Sequence, residues 1–205
     1  MLNGTRQRGF NLVEAVVTVS VLGILLATTL PSMSDWIRAT RVRGLTETMQ
    51  TGLQKARSEA MKRNKVVTFW TVTPANTSSP DDACELSPAS AAWVVSLEDP
   101  SEKCSTAPSA SVSPRIVETY GPGQAADGIT VTAVDKDGNE ANSVSFNGFG
   151  QRVGTGGMAK INIVHSASTT VRPLRIEIST SGGIRMCDPR ATAADVNDAR
   201  ACQMP

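Results

Sequence analysis

The sequence predicts an α+β protein in which one long N-terminal helix packs on antiparallel β-sheets. Two observations support this fold class. An apolar run at residues 10–30 passes, at Pro31, into a segment whose apolar residues recur every three or four positions, which is the period of a helix face. Beyond residue 64, short β-branched runs alternate with turn residues, which is typical of strands. A chain of 205 residues has room for one domain and an appendage.

The apolar run contains a single ionisable side chain, Glu14. As a helix the run spans about 31 Å, which matches a bilayer core. It could be a cleaved secretory signal, a plain anchor or a more specialised segment. A secretory signal has a shorter apolar region and no carboxylate there. Because a charge in hydrocarbon costs about 2.5–3.5 kcal/mol on insertion scales, we expect Glu14 to have a partner.

The segment after Pro31 is predicted to continue the helix with one apolar stripe, formed by Leu45, Met49, Leu53, Ala56 and Ala60. Proline removes a backbone donor and clashes with the preceding turn, so a kink is expected at Pro31. The whole rod would be about 80 Å long. A small domain cannot bury such a length, and its first half must therefore pack against lipid or against copies of itself.

Eight segments have strand character: residues 66–72, 92–97, 115–120, 128–134, 143–148, 160–165, 174–179 and 182–187. Tight turns are predicted at 135–140 and 179–182, and a glycine-rich hairpin turn at 148–157. The spacing indicates a meander of antiparallel strands stacked on the amphipathic half of the helix. Residues 74–91 and 99–114 are rich in Ser, Pro and Asp, which is typical of long surface loops.

The four cysteines form two separated pairs without C-x-x-C spacing, which argues against a zinc ribbon or a redox motif. We predict the disulfides Cys84–Cys104 and Cys187–Cys202, because each would close one polar loop. The other connectivities and buried free thiols are the alternatives. Disulfides form in oxidising compartments, so this pairing would place the bulk of the chain outside the cytoplasm and the N-terminus inside.

Composition excludes several function classes. A net charge of +1 gives no global field for nucleic acid, and with 4% aromatic residues and one histidine, His165, a catalytic or stacking pocket is not expected. The motifs H-E-x-x-H, G-x-S-x-G and G-K-[ST] are missing from the sequence. We therefore expect no enzyme activity, no metal and no cofactor.

The first residues carry a more specific pattern. A short polar, basic leader ends at Gly9, and Phe10, Leu12, Val13 and Glu14 follow, then the apolar helix and Pro31. This pattern resembles the class III signal of type IV pilins and pseudopilins. The resemblance implies cleavage between Gly9 and Phe10 by a prepilin peptidase/methyltransferase at the inner membrane, and N-methylation of Phe10.

The same resemblance implies that Glu14 pairs with the free amine of Phe10 in a neighbouring subunit and fixes the axial register. A charge pair is less costly than a lone charge in an apolar bundle. The alternative is a Glu14 side chain that snorkels from an ordinary anchor. The implied organisation is a leader (1–9), a transmembrane and assembly helix (10–30), an amphipathic helix (31–64) and a periplasmic β-rich domain (65–205).

Residues 56–67, 143–153 and 174–189 resemble the GspH/FimT group of pseudopilins and minor pilins. The group implies a pilin-like fold and other pilin or pseudopilin subunits as partners. It contains minor pilins that assemble into or prime a type IV pilus, and minor pseudopilins of type II secretion. The short tail after Arg185 favours the first. A plain membrane-anchored binding domain is a third hypothesis.

Some minor pilins of this group bind double-stranded DNA through a G-R-x-R motif in the C-terminal hairpin. Here the equivalent stretch is Gly182-Gly183-Ile184-Arg185, so Gly183 replaces the first arginine. Clustered cations could contact several phosphates and make binding salt-dependent; the alternative is ordinary solvated arginines. The candidate contacts are Gly182, Arg185 and Arg190, with Lys160, Arg172, Arg175 and Arg200 nearby.

Overall fold

The computed structural model describes residues 11–73, 79–191 and 198–202, with the side chains of residues 26–32 outside the description. The chain divides into two compact units, with the boundary between Ile37 and Arg38. Helix α1 runs from Leu12 to Arg63 as one element of 52 residues, so the predicted long helix is confirmed.

The part of α1 in the second unit carries the predicted stripe. Leu45, Met49, Leu53, Ala56 and Ala60 are all almost fully buried, and Val42 extends the stripe by one turn. The period of three to four residues therefore marks the face on which the sheets rest.

The C-terminal end of α1 is stabilised by a backbone cap and by an ion pair in the last turn. Asn64 takes a positive φ of 49°, and the Lys65 N–H donates to the Ala60 carbonyl at 3.2 Å, as in a left-handed helix cap. In the last turn, Arg63 Nε donates to buried Glu59 at 2.6 Å. Burial alone would raise the pKa of Glu59, but the hydrogen bond and charge of Arg63, with the charge of Lys62, outweigh it and lower that pKa.

In the residues that the structure describes, ten strands and one 3-10 helix follow α1. In chain order the strands are β1 (Val67–Thr73), β2 (Glu85–Leu86), β3 (Trp93–Ser96), β4 (Ile116–Tyr120), β5 (Ile129–Val134), β6 (Ser143–Phe146), β7 (Arg152–Val153), β8 (Lys160–His165), β9 (Leu174–Ile178) and β10 (Ile184–Cys187), and the 3-10 helix is Gly123–Ala126. One sheet has the order β4-β3-β1-β6-β7, with β2 paired to β1, and the other has the order β10-β9-β8-β5. Every ladder in both sheets is antiparallel.

All eight predicted strands are present, but the meander is wrong. The chain passes from the first sheet to the second after β4, returns at β6, and crosses again at β8. As a result β1 lies between β3 and β6, and β5 pairs with β8. Strands β2 and β7 were not predicted: β2 interrupts a segment expected to be loop, and β7 lies inside the expected glycine-rich turn. Each has only two residues, too few for alternation to show in the sequence.

The main core lies between α1 and the two sheets. Its largest fully buried side chains are Phe69 of β1 and Phe146 of β6. Gly52 lets the helix approach closely, because a Cβ there would lie 2.8 Å from Phe69 Cε2 and 2.9 Å from Trp93 Cζ2. A smaller second cluster surrounds Cys84 and Cys104.

Both predicted disulfides, Cys84–Cys104 and Cys187–Cys202, are confirmed. The first ties the loop that precedes β2 to the loop that follows β3. The second holds the C-terminal segment 198–202 against β10, where Asp188 and Ala201 form a parallel bridge.

Candidate functional site

The predicted assembly site at the N-terminus falls partly outside the described residues, because Gly9 and Phe10 belong to the segment 1–10. Glu14 lies in the first turn of α1 and is exposed, as are all residues from 11 to 25. An acidic residue in the first turn interacts favourably with the helix dipole, so Glu14 also has an ordinary stabilising role.

The apolar residues of this first helical segment are strongly exposed, with Leu12 at 78% and Val19 at 68%. No helix in the part of the chain that the structure describes is both long and apolar enough to cross a membrane. The side chain of Pro31 lies outside the described part of the chain. Helix α1 is assigned without a break through that position, and the kink expected there stays a prediction.

The second predicted site is the hairpin of β9 and β10. Its turn is tight, as predicted: the Gly182 N–H donates to the Ser179 carbonyl at 2.9 Å, and the Ser179 N–H donates to the Gly183 carbonyl at 2.9 Å. The Ser179 hydroxyl oxygen accepts the Gly183 N–H at 2.8 Å. Gly182 has a φ of +81°, a backbone conformation that L residues with a Cβ rarely adopt.

Gly182 also lies against the turn between β6 and β7. A Cβ at position 182 would sit 1.8 Å from the carbonyl oxygen of Gly150, so two backbones touch here. The same carbonyl accepts a hydrogen bond from Arg57 Nε of α1 at 3.0 Å. Helix, β6–β7 turn and β9–β10 turn thus meet at one point, and packing alone requires glycine at position 182.

Arg185 is engaged within the fold. Its Nη2 donates to Glu177 at 3.1 Å and to the Ala201 carbonyl at 3.0 Å. The Glu177 side chain is only 3% exposed, whereas that of Arg185 is 38% exposed. A buried carboxylate needs a cation and hydrogen bonds nearby, so Arg185 joins β9, β10 and the C-terminal segment.

The other candidate cations near the hairpin also have partners. Arg172 pairs with Asp188 at 3.1 Å, and Arg200 pairs with Asp198 at 2.9 Å. The hydrogen bonds from Arg200 lower the pKa of Asp198 to about 2. Arg190 Nη2 donates to the Thr169 carbonyl at 3.0 Å, and Arg175 Nε donates to the Asn162 side chain at 2.7 Å. Lys160 lies opposite Glu177 in the ladder of β8 and β9.

A cavity of about 400 Å³ opens beside this hairpin. Leu174 and Met186 supply apolar lining, and Arg43, Arg172 and Arg200 border it. Arg43 pairs with Glu47 at 2.9 Å, so each of these three arginines has an acidic neighbour. The cavity is therefore far less cationic than a count of its arginines suggests.

One group in the described residues has the donor set of a metal site. Ligand-type atoms of Glu177, Cys187 and Cys202 lie within 4.8 Å of one another. Both sulfurs are bonded to each other, and metals bind thiolates. This group therefore does not fit a metal ion while the disulfide is intact. At the end of β8, His165 Nδ1 accepts the Ala167 N–H at 3.2 Å, which fits a structural role.

A third feature was not predicted from the sequence. Phe149 stands at the tip of the β6–β7 turn and is 82% exposed. The Asn147 side chain accepts the backbone N–H groups of Phe149 and Gln151, each at 3.0 Å. The available signal was an aromatic residue between two glycines in a chain with few aromatics.

The family model described as Type II transport protein GspH matches residues 45–182, which covers the C-terminal part of α1 and almost all of both sheets. The chain belongs to the GspH family. The GspH family contains pilin-like and pseudopilin-like minor subunits, so this chain is a minor subunit of that kind. Membership of the family implies assembly with other pilins.

Two crystal structures of the type IV minor pilin FimU from Pseudomonas aeruginosa (strain PAO1) are similar to this GspH-family chain. The structure in space group P65 has 14% identity and a TM-score of 0.44, covering 70% of this chain and 90% of FimU. The structure in space group P21 has 16% identity and a TM-score of 0.46, covering 72% and 88%. No curated protein sequence gives a significant match.

Proposed function

We propose that this GspH-family chain is a minor pilin, a non-catalytic subunit that assembles into or primes a type IV pilus. The observation that supports this most directly is the exposed apolar surface of α1 between residues 12 and 25. Apolar side chains exposed along a whole helix segment mark a surface that lipid or other helices cover. Glu14 is the one charge within that surface.

The proposed function also includes the processing of the subunit and its insertion into the membrane. A prepilin peptidase/methyltransferase at the inner membrane cleaves between Gly9 and Phe10 and methylates Phe10. The helix from residue 10 to 30 then anchors the subunit with its C-terminal domain in the periplasm. The two disulfides support that location, because such bonds persist in oxidising compartments.

Within the filament, Glu14 pairs with the Phe10 amine of a neighbouring subunit. The test is Glu14→Val, with Thr18→Val as the matched control, because Thr18 is a nearby polar residue whose hydroxyl bonds the Ala15 carbonyl. Glu14→Val should enter the membrane but be lost from sheared filaments. The control should be incorporated as the wild type is. Equal incorporation of both variants would contradict the register role.

Leader cleavage has its own test. Gly9→Val should block processing, because a branched side chain should not fit the peptidase site, and the protein should run as the longer precursor on a gel. A mature band of unchanged size, or a filament-associated chain that still begins at Met1, would exclude the proposal.

A second candidate function is a minor pseudopilin of type II secretion. The favouring observation is the family description itself, which names type II transport. A deletion strain distinguishes the two. Loss of twitching or transformation with normal secretion supports the pilus, and loss of secretion with normal twitching supports the pseudopilus.

Double-stranded DNA as a partner stays a prediction. Replacing Arg185 would not test it cleanly, because Arg185 also bonds Glu177 and the Ala201 carbonyl within the fold. Arg190 is exposed and its guanidinium bonds one backbone carbonyl, so Arg190→Ala should leave the fold intact. If the hairpin binds DNA, this variant should bind DNA more weakly in a fluorescence anisotropy titration, and its affinity should depend less steeply on salt concentration. Unchanged binding of the full chain would exclude Arg190 as a contact.

A further inference from the structure

A cavity of about 420 Å³ lies between α1 and the edge of the sheet that begins with β4. Strands β3 and β4 contribute an aromatic wall, on which the rings of Trp93 and Tyr120 stack with centroids 5.5 Å apart and planes inclined by 18°. We call this space the edge cavity. Its other lining residues are Gly44, Glu47, Thr48, Thr51 and Glu118.

Gly44 keeps the edge cavity open. It lies inside the 52-residue helix α1, where glycine is less favourable than alanine. A Cβ at Gly44 would meet no atom within 4 Å, whereas a Cβ at Gly52 would lie 2.8 Å from the Phe69 ring. Packing within the chain therefore requires the glycine at position 52 but not the one at position 44. The missing side chain at position 44 leaves room for a ligand.

The polar wall of the edge cavity offers hydrogen-bond acceptors. The hydroxyls of Thr48 and Thr51 each donate to a helix carbonyl at 2.8 Å, so their oxygens keep lone pairs that can accept. The side chains of Glu47 and Glu118 are 55% and 46% exposed, and an ionised carboxylate only accepts. A ligand that matches this wall must therefore carry several O–H or N–H donors.

The charges beside the edge cavity balance one another. Glu47 pairs with Arg43 at 2.9 Å, and Glu118 pairs with Lys55 at 3.8 Å. Such exposed pairs are weak, so both carboxylates can still accept hydrogen bonds from a ligand. Because each carboxylate has a cation beside it, the cavity provides little net field to attract a charged ligand. A neutral ligand with many hydroxyl groups suits it better than a cation does.

Trp93 brings an unused donor to the aromatic wall. The residue is 2% exposed, and its indole N–H has no acceptor in the part of the chain that the structure describes. A buried donor without a partner is unfavourable, so a ligand oxygen placed at this wall would be stabilised. The ligand should thus combine O–H donors, oxygen acceptors and an apolar C–H surface for the aromatic rings. A sugar ring has all three.

We propose that the edge cavity binds one hexopyranose ring of a neutral saccharide. Hydroxyl groups of the sugar donate to Glu47 and Glu118, and a sugar oxygen accepts the Trp93 indole N–H. The C–H groups of the ring rest against Tyr120. This inference goes beyond the proposed function and does not depend on it, because binding by a single chain requires no filament.

The first experiment titrates the full chain with cellobiose and with N,N′-diacetylchitobiose, in a detergent whose head group is not a sugar. NMR of isotope-labelled protein follows the indole N–H signals, and Trp93→Phe assigns the signal of Trp93. That signal should move on titration, while the signals of Trp36 and Trp70, which do not line the cavity, should stay. No movement with either saccharide, or equal movement of all three signals, would overturn the proposal.

Two further arms identify the kind of ligand and its source. Putrescine and choline replace the saccharides in the first arm, and a response to these cations without a response to either saccharide would overturn the proposal. The second arm uses purified peptidoglycan, an insoluble glycan. If the sugar is presented by a polymer, the chain should sediment with it and be released by the free disaccharide. A chain that binds the disaccharide but not the polymer recognises a free saccharide.

The second experiment fills the edge cavity. Gly44→Leu should lower the affinity for the disaccharide about tenfold or more, because the new side chain occupies the space of the ligand. Its melting temperature should be equal to that of the wild type or higher, since leucine favours a helix more than glycine does. Gly156→Leu is the control, because a Cβ there also meets nothing within 4 Å, but outside the cavity. Wild-type affinity of Gly44→Leu would reject the site.

The third experiment removes single acceptors. Glu118→Ala should weaken binding about tenfold, as expected for a hydrogen bond to a charged group, and Thr51→Val about threefold. The matched controls are Glu140→Ala and Thr130→Val, which replace exposed residues of the same types elsewhere and should bind as the wild type does. Equal effects of the variants and their controls would contradict the assigned contacts and overturn the proposal.

Discussion

Replacement of Gly182 by alanine tests whether this position serves the fold. The added methyl group would lie 1.8 Å from the Gly150 carbonyl oxygen, which is backbone and cannot rotate away. The backbone at position 182 would also have to keep a φ of +81° with a Cβ attached. Both effects act on the point where Arg57 ties α1 to the β6–β7 turn.

The expected loss of stability has three parts. A left-handed backbone costs an L residue about 1–2 kcal/mol. Overpacking of a close contact costs about 1–3 kcal/mol. If the turn moves away, the 3.0 Å bond from Arg57 to Gly150 weakens, and a hydrogen bond from a charged donor contributes about 1.5–3 kcal/mol. Because these effects overlap, we expect a total of about 3–5 kcal/mol.

For a chain of this size each kcal/mol lowers the melting temperature by about 2–4 °C, so Gly182→Ala should melt about 6–20 °C below the wild type. The measurement is thermal unfolding of the full chain in detergent, followed by near-ultraviolet circular dichroism. Gly154→Ala is the matched control, because Gly154 has a φ of +87° but nothing within 4 Å of an added Cβ. It should lose only about 2–8 °C, which is the cost of the left-handed backbone alone. Equal losses for the two variants would refute the contact.

Three further predictions concern the hairpin, the tail and the helix end. Arg185→Ala should destabilise the full chain by about 2–4 kcal/mol, because Glu177 is 3% exposed and loses a charged partner; an unchanged urea midpoint would contradict this. Replacing both Cys187 and Cys202 by serine should cost about 3 kcal/mol for a separation of 15 residues, and a reductant should then destabilise the variant less than the wild type. Because the pKa of Glu59 is lowered on folding from its ordinary value of 4.5, its stabilising effect is present above that pH and is lost as the pH falls below it. Urea unfolding as a function of pH should show a shallower acid decline for Glu59→Gln.

Local patterns predicted the elements well, because each depends on neighbours in sequence. The stripe from Leu45 to Ala60 appeared as a helical period, and it is the buried face. The eight β-branched runs became strands for the same reason. The disulfides followed because each pair closes one loop, of 20 and 15 residues in separation.

Contacts that join distant segments could not be predicted in this way. The crossing of the chain between two sheets depends on which strands share a hydrogen-bond ladder, and sequential spacing only suggests neighbours. The approach of Gly182 to Gly150 involves two turns from different sheets. At the N-terminus, the expectation for Gly9, Phe10 and Glu14 rests on the signal pattern, and it needs the cellular tests described above.

The pairing of Arg185 with Glu177 explains why a pattern of glycine and arginine in this hairpin is a weak guide to function. Arg185 lies directly opposite Glu177 in the ladder of β9 and β10, and opposite charges at such positions stabilise a sheet. Gly182 is set by its positive φ and its contact with Gly150. Both residues therefore meet needs of the fold, whatever the protein binds.

Position 183 is different from its neighbours in this respect. Gly183 is exposed, and an added Cβ would meet chiefly the hydroxyl of Ser179 at 2.9 Å, which accepts the Gly183 N–H at 2.8 Å. A side chain at position 183 would therefore have to displace this one hydroxyl but no backbone atom. Within this hairpin, the residue that packing does not dictate is the one whose identity bears on phosphate contact. Gly182 and Arg185 therefore have structural roles in this hairpin, and the binding of DNA by the hairpin stays a prediction.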